Sequence, residues 1–419
     1  AGSPWKASDA SLQWGLDGIA VDLDASETAS SHYTILSNTD HVLTLQTSDD
    51  LSTLVGNELV GVHTLQTVQV SGGASATFGD DRVVIIDQAN SVFDVDASLR
   101  VGVQHVASMN YTRSGRVDAD ELIVDGDVTV DGVQLIMNVE QSIQIGGDLR
   151  LINGATLSVG TATSSPKHIN ALNMVVGGTV TIDAASMIDL NGKGYPANFW
   201  SGPDFVDDQN RYGCHGGKRS NTTDDCTYGR YEQALFAGSA GYAQGTGDAD
   251  GGGVLSLTAA NLILDGRIQA NGHKGHYSHG GGAGGGLHLN VGTLTGVGNV
   301  EAKGATYYSG ASNDTAGGGR ISVYVDDRSG YSGNFIATSD VTGLVSGAGT
   351  VYIKESAQAY GHLQIDNGGR IAPADSTPLR SVGRHLITDA YQATPGVWKV
   401  EVAGSPWKAS DASLQWGLD

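Results

Sequence analysis

Residues 252–272 read GGVLSLTAANLILDGRIQANG, and residues 284–304 read GGGLHLNVGTLTGVGNVEAKG. The two stretches align without a gap at an offset of 32 residues. Leu255, Leu257, Leu262, Ile268 and Ala270 fall on Leu287, Leu289, Leu294, Val300 and Ala302, while Gly266 and Gly272 fall on Gly298 and Gly304. Within each copy, apolar and polar residues alternate over short runs that end at Gly, Asn or Asp, the pattern of strands with one buried face. One such unit cannot bury its apolar face alone, but stacked on a neighbour it can. Two looser copies flank the pair. Thr179–Gly194 places Ile188, Asn191 and Gly192 where the first copy has Ile268, Asn271 and Gly272, and Gly318–Ala337 follows the whole motif with one inserted residue.

The repeat predicts an all-β fold, a parallel β-solenoid in which aliphatic ladders face inward and Gly or Asn take tight corners. A β-sandwich is the structural alternative, but it gives no reason for an in-register repeat. Further strand-like runs lie at Val42–Thr47, His63–Val70, Val83–Asp87, Ser91–Asp96, Glu121–Ile136, Ile143–Ile152, Met174–Asp183, Ile321–Val325 and Thr350–Lys354. No segment holds a helical period. Glycine-rich excursions leave the repeat after its final Gly: a long one at residues 192–253, and shorter ones at 272–286 and 304–319. These are expected to be loops aligned on one side of the solenoid, its usual binding surface.

A longer period encloses the short one. Residues 1–17, AGSPWKASDASLQWGLD, return unchanged as residues 403–419, an offset of 402. Identity over that length predicts a tandem array or an end-to-end polymer of 402-residue units. The expected organisation is a repeat junction at 1–17, an N-terminal solenoid portion at 18–115, a Gly-rich parallel β-helix at 116–355 with the insertion 192–253, C-terminal strands at 356–402, and the start of the next repeat at 403–419. Trp5, Leu12 and Trp14, with their duplicates Trp407, Leu414 and Trp416, are candidate repeat-to-repeat contacts, because large aromatics in a chain poor in them anchor packing. Ordinary core packing is the plainer reading.

Composition agrees with strands over helices. Glycine supplies 61 of 419 residues, aromatics only 6 % and charged residues only 16 %. The net charge of −22 makes nucleic acid an unsuitable partner, since binding it needs a basic stripe. No apolar run reaches membrane-spanning length. Cys214 and Cys226 are an even, closely spaced pair, which predicts a disulfide and an oxidising compartment.

Strand–Gly–strand units, the phrase NGHKG at 271–275 and the GGG-aliphatic starts resemble the right-handed parallel β-helix segments of very large bacterial surface and extracellular proteins. The resemblance covers about residues 120–355. It implies a right-handed β-helix, secretion or a cell-surface location, and fibre roles or adhesion. The partners expected are further copies of the chain end to end, or, for an adhesin, glycans or surfaces bound by the Gly-rich loops. The resemblance carries no catalytic residue across.

Several residues invite chemistry. β-Helical hydrolases and lyases act on polysaccharides, and the strings Asn38-Thr39-Asp40 and Asp49-Asp50 match the first elements of a hydrolase pattern; His279-Gly280 and Tyr352-Ile353-Lys354 do not complete it. No catalytic residue is assigned. Asp125 with Asp127, and Asp248 with Asp250, are candidate calcium ligands, calcium being the one cofactor considered. They lack an EF-hand or nonapeptide spacing, and solvated turn carboxylates are the plainer reading. His273, His276 and His279, with His288 beyond, could hold a transition metal or simply face solvent. Asn110, Asn221 and Asn313 head glycosylation sequons.

Overall fold

A computed structural model describes residues 16, 18–24, 32–39, 42–70, 75–77, 81–86, 92–93, 98–164, 167–197, 212–220, 226–241, 249–275, 280–306, 315–339, 345–374, 376–379, 384 and 386–403. Among them, one 3-10 turn at Ser52–Leu54 is the only helical element. Twenty-three strands join in one extended sheet, most of whose pairings are parallel.

The 32-residue repeat is a strand pairing. Val254–Leu264 lies parallel to Gly286–Thr295 with Leu255 beside Leu287, Leu257 beside Leu289 and Leu262 beside Leu294, and Ile268 sits beside Val300. The looser copies pair as their alignment implies. Ile188 lies beside Ile268. Leu287 lies beside Ile321, and Val300 beside Phe335, so one extra residue enters between the two pairings.

Before residue 150 the parallel partners are about twenty residues apart, as in Val62 with Arg82, Val83 with Gln104, Ala119 with Val139, and Val128 with Leu149. Beyond residue 250 they are 30–35 apart, as in Ile321 with Val351. The added length is mostly glycine-rich chain.

Inward residues form columns. Leu172, Leu255, Leu287, Ile321 and Val351 make one, and Leu157, Ile188, Ile268 and Val300 another. All belong to one continuous apolar cluster running from Val83 to Ile353. Each fully buried Leu or Ile contributes about 2 kcal/mol to folding.

Polar corners lock the spacing. Asp127 accepts from the backbone N–H of Asp148 at 2.9 Å, and Asp148 accepts from that of Thr179 at 2.8 Å. Arg150 donates to both carboxylates. The Asp148 amide first, and Arg150 second, hold the Asp127 carboxyl below its ordinary range.

The glycine-rich stretches pack closely where they are described. Their described parts (212–220, 226–241, 249–253, 280–285, 302–306, 315–319 and 345–349) are largely buried and carry no strand ladder. Five successive amides, from Gly282 to Gly286, donate to five different carbonyls, those of His273, Ser239, Gly317, Ala270 and Gly253. A Cβ on Gly252 would stand 1.9 Å from the Ala270 carbonyl oxygen, and one on Gly285 2.0 Å from that of Gly253. Glycine is required here because backbones touch, as at the crowded axis of a collagen triple helix.

Among the described residues, the parallel ladder gives way to antiparallel pairings towards both ends. Ala20–Asp22 pairs antiparallel with His32–Asn38 and with Val60–Leu65. A buried ion pair, Arg82 Nη1 to Asp22 Oδ2 at 2.7 Å, ties this end to the first parallel strands. At the other end His362–Gln364 lies antiparallel on Thr350–Glu355. Beyond it, Ile387–Thr394 and Val397–Val402 form a separate antiparallel hairpin.

Candidate functional site

Two outward columns of the large parallel strands run side by side. Ser256, His288, Ser322 and Tyr352 form the first, and Thr258, Asn290, Tyr324 and Lys354 the second. Between them Val323 and Ile353 turn inward, so period-2 alternation places both columns on the outer face.

Segment 226–241, part of the long excursion, folds back over the first column. The Ala234 amide donates to Ser322 Oγ at 3.0 Å. A Cβ on Gly286 would stand 2.5 Å from the Ala234 and Phe236 carbonyl oxygens, so glycine there admits the crossing chain. His288 lies beneath it, Nδ1 in hydrogen-bond contact with Ser322 Oγ at 2.7 Å, and burial lowers its pKa.

Along the second column lies a cleft of about 450 Å³ lined by Thr258, Asn290, Tyr324, Asp326, Lys354 and Gln358, among others, with no residue of the crossing chain in its lining. Tyr231 arrives with the crossing chain, its ring 5.5 Å from that of Tyr352, which is 5.9 Å from that of Tyr324. Burial first, then Tyr352, Glu232 and Tyr231, raise the Tyr324 phenol above its ordinary pKa. Two acceptors are shielded from solvent without a hydrogen-bond partner among the described residues: Glu232 Oε2 and Gln358 Oε1. At the rim Asp326 accepts from Ser356 Oγ, and Arg328 pairs with Glu355 at 2.8 Å. This gathering was not foreseen. Tyr231 and Glu232 are over ninety residues from Tyr324, and the alternation around Tyr324 and Lys354 was the one available signal.

The residues singled out from the sequence are dispersed. Cys214 and Cys226 form the expected disulfide. Next to it His215 is fully buried, stacked on Tyr228 with ring centroids 4.7 Å apart and with Nδ1 2.8 Å from the Gly284 carbonyl oxygen. Burial first, and Arg320 second, lower its pKa to about 3.

Asp125 contacts His105 at 2.9 Å, Asp127 belongs to the corner ladder, and Asp250 accepts from the Ala197 amide at 2.7 Å. Asp248 lies outside the described residues, as do Asp40, His276, His279, Asn221, Asn313, Trp5, Leu12, Trp14, Trp407, Leu414 and Trp416. His273 lines a groove with Asn191 and Asn271, and His288 is not among its lining residues. Asn110 is exposed on the strand Met109–Tyr111. Asp49 and Asp50 are exposed, and the Ser52 amide accounts first for a lowered pKa at Asp50. No group of three or more His, Cys, Asp or Glu side chains placed to hold a metal occurs among the described residues.

The hairpin 387–402 is a second surface. Leu386, Ile387, Val397, Trp398 and Val400 are all more than half exposed, Leu386 at 73 % and Trp398 at 63 %. Comparison with protein-family models, with curated proteins and with solved structures finds no match to the chain. No helix of the described residues is long and apolar enough to cross a membrane.

Proposed function

We propose that this chain is a structural repeat of an extracellular fibre or surface stalk, a right-handed parallel β-helix whose copies join end to end. One observation carries the reading: the exposed apolar hairpin Ile387–Val402 leads directly into a segment identical to residues 1–17. A hairpin with both faces bare is marginal in water, and exposed apolar clusters mark interaction surfaces. The next copy's N-terminal portion is the surface placed beside it by the repeat. The parallel ladders and the shared apolar cluster support an elongated body, and the Cys214–Cys226 disulfide supports an oxidising location. At about 4.8 Å per stacked strand, one period rises on the order of 60 Å. In this reading copies meet through the hairpin rather than through an open ladder, and the reading assigns no catalytic residue.

The experiment is a chain of two consecutive periods imaged by electron microscopy beside the single period. A rod twice as long with a fixed axial repeat is expected. Two bodies at variable angles, or a compact particle, would overturn the proposal.

A further inference from the structure

Resting on the end-to-end reading, we propose that the apolar face of one copy's hairpin docks on the N-terminal sheet of the next copy, over Leu36, Val42, Val55 and Leu59. The contact is head-to-tail: it joins two unlike surfaces, and each copy carries one of each.

Register sorts the hairpin into two unlike faces. Residues opposite one another in an antiparallel pair project to the same side, and so do residues two apart. Trp398 lies opposite Gln392, Val400 opposite Ala390, and Val402 opposite Ile387. That face is apolar apart from Gln392. The other carries Asp389, Tyr391, Lys399 and Glu401, with Val397 near the turn. Every hairpin residue except Val402 is exposed, and among the described residues the two strands pair only with each other. A bare apolar face of this kind marks a surface that another body covers.

The distribution of bare apolar surface points to the partner. Between residues 87 and 359 the large apolar side chains exposed among the described residues are Val175, Leu235, Ile263 and Val297. The N-terminal end exposes as many, Leu36, Val42, Val55 and Leu59, within a far shorter stretch. They lie in and beside the sheet of Ala20–Asp22, His32–Asn38, Leu43–Gln46 and Val60–Leu65. Leu43–Gln46 pairs with His32–Asn38 along one edge and has no second strand partner among the described residues. Its sequence, LTLQ, has neither a charge nor a proline, and native sheets cover such an edge.

Tandem order favours this partner over a second hairpin. In an array, Gly18 of the next copy directly follows Asp419, on the order of 60 Å from Val402 at full extension. That short tether raises the local concentration of the N-terminal sheet, whereas the next hairpin lies a whole period further on. Hairpin-on-hairpin contact would also leave Leu36, Val42, Val55 and Leu59 bare.

Sedimentation equilibrium of the single-period chain tests this. Native copies should associate with a Kd of about 1–100 μM. Trp398→Glu and Val55→Glu, at opposite ends, should each weaken association roughly tenfold or more. Val297→Glu, at a position 65 % exposed between the ends, should leave it unchanged. Mixing the Trp398→Glu and Val55→Glu chains should restore a heterodimer and nothing larger, since one intact hairpin then meets one intact N-terminal sheet. Thermal melting keeps misfolded variants out of the comparison, with Val400→Glu and Leu59→Glu as second variants. A native chain that stays monomeric at about 100 μM, a Val55→Glu chain that associates normally, or a mixture that forms no heterodimer would each overturn the proposal. A straight two-period rod together with an inert Val55→Glu would remove this docking and leave the end-to-end reading standing.

Discussion

The side-chain oxygen of Asn191 accepts a hydrogen bond from the backbone N–H of Asn271 at 2.7 Å, and Asn271 does the same for Lys303 at 2.7 Å. The first contact spans 80 residues of sequence and the second 32. The ladder is thus indifferent to the long excursion between Gly192 and Gly253. Asn271→Ala should leave the partly buried Lys303 amide without its acceptor, at a cost of about 1–3 kcal/mol. Faster hydrogen exchange at Lys303, with a lower melting temperature, is the expected result.

Gly285→Ala tests the backbone-packed layer. The added Cβ would stand 2.0 Å from the Gly253 carbonyl oxygen, and neither backbone can yield without breaking its own hydrogen bonds. A loss of at least about 3 kcal/mol is expected. At Gly369, where nothing lies within 4 Å but φ is +77°, alanine should cost only about 1–2 kcal/mol. Paired melting curves check the contrast.

The Cys214–Cys226 link closes a short loop inside this layer. Replacing both with serine should cost about 3 kcal/mol, and the native chain should present no free thiol to an aromatic disulfide reagent before unfolding. Reducing agent should lower the melting temperature of the native chain and leave the double variant unchanged.

His215 makes stability depend on pH. Its folded pKa lies near 3, below the ordinary 6.5. Between those values the unfolded chain binds a proton that the folded chain refuses. The His215 contribution is therefore fully present above pH 6.5 and is lost as pH falls toward 3, at up to about 1.4 kcal/mol per unit. In His215→Asn the slope of stability against pH between 6.5 and 4 should be shallower, as read from denaturant midpoints.

The hairpin should govern association and contribute little to the fold. Trp398 is 63 % exposed, so Trp398→Glu should alter the stability of the body by no more than about 0.5 kcal/mol. It should reduce self-association of separate copies in analytical ultracentrifugation.

How far the sequence could be read depended on distance along the chain. The pairing of Leu255 with Leu287 was legible because both carry the same local alternation 32 residues apart, and Ile188 with Ile268 because the flanking Asn and Gly repeat too. The cysteine pair was legible from spacing. The glycine runs were legible as special, but the burial of their described parts was not. Composition cannot distinguish a solvated Gly loop from a buried one, and what decides at Gly285 is the carbonyl of Gly253. The reversal of strand direction at both ends left no periodic signature.

The sequence by itself determined the all-strand character, the residues that stack into aliphatic columns and the disulfide, since each follows from alternation, repetition or spacing. Only the tertiary structure decided that segment 226–241 crosses the outer face, bringing Tyr231 and Glu232 to Tyr324 and Tyr352. That outcome depends on where an excursion of some sixty residues finds backbone partners, a choice made by packing against glycine carbonyls far away in the chain.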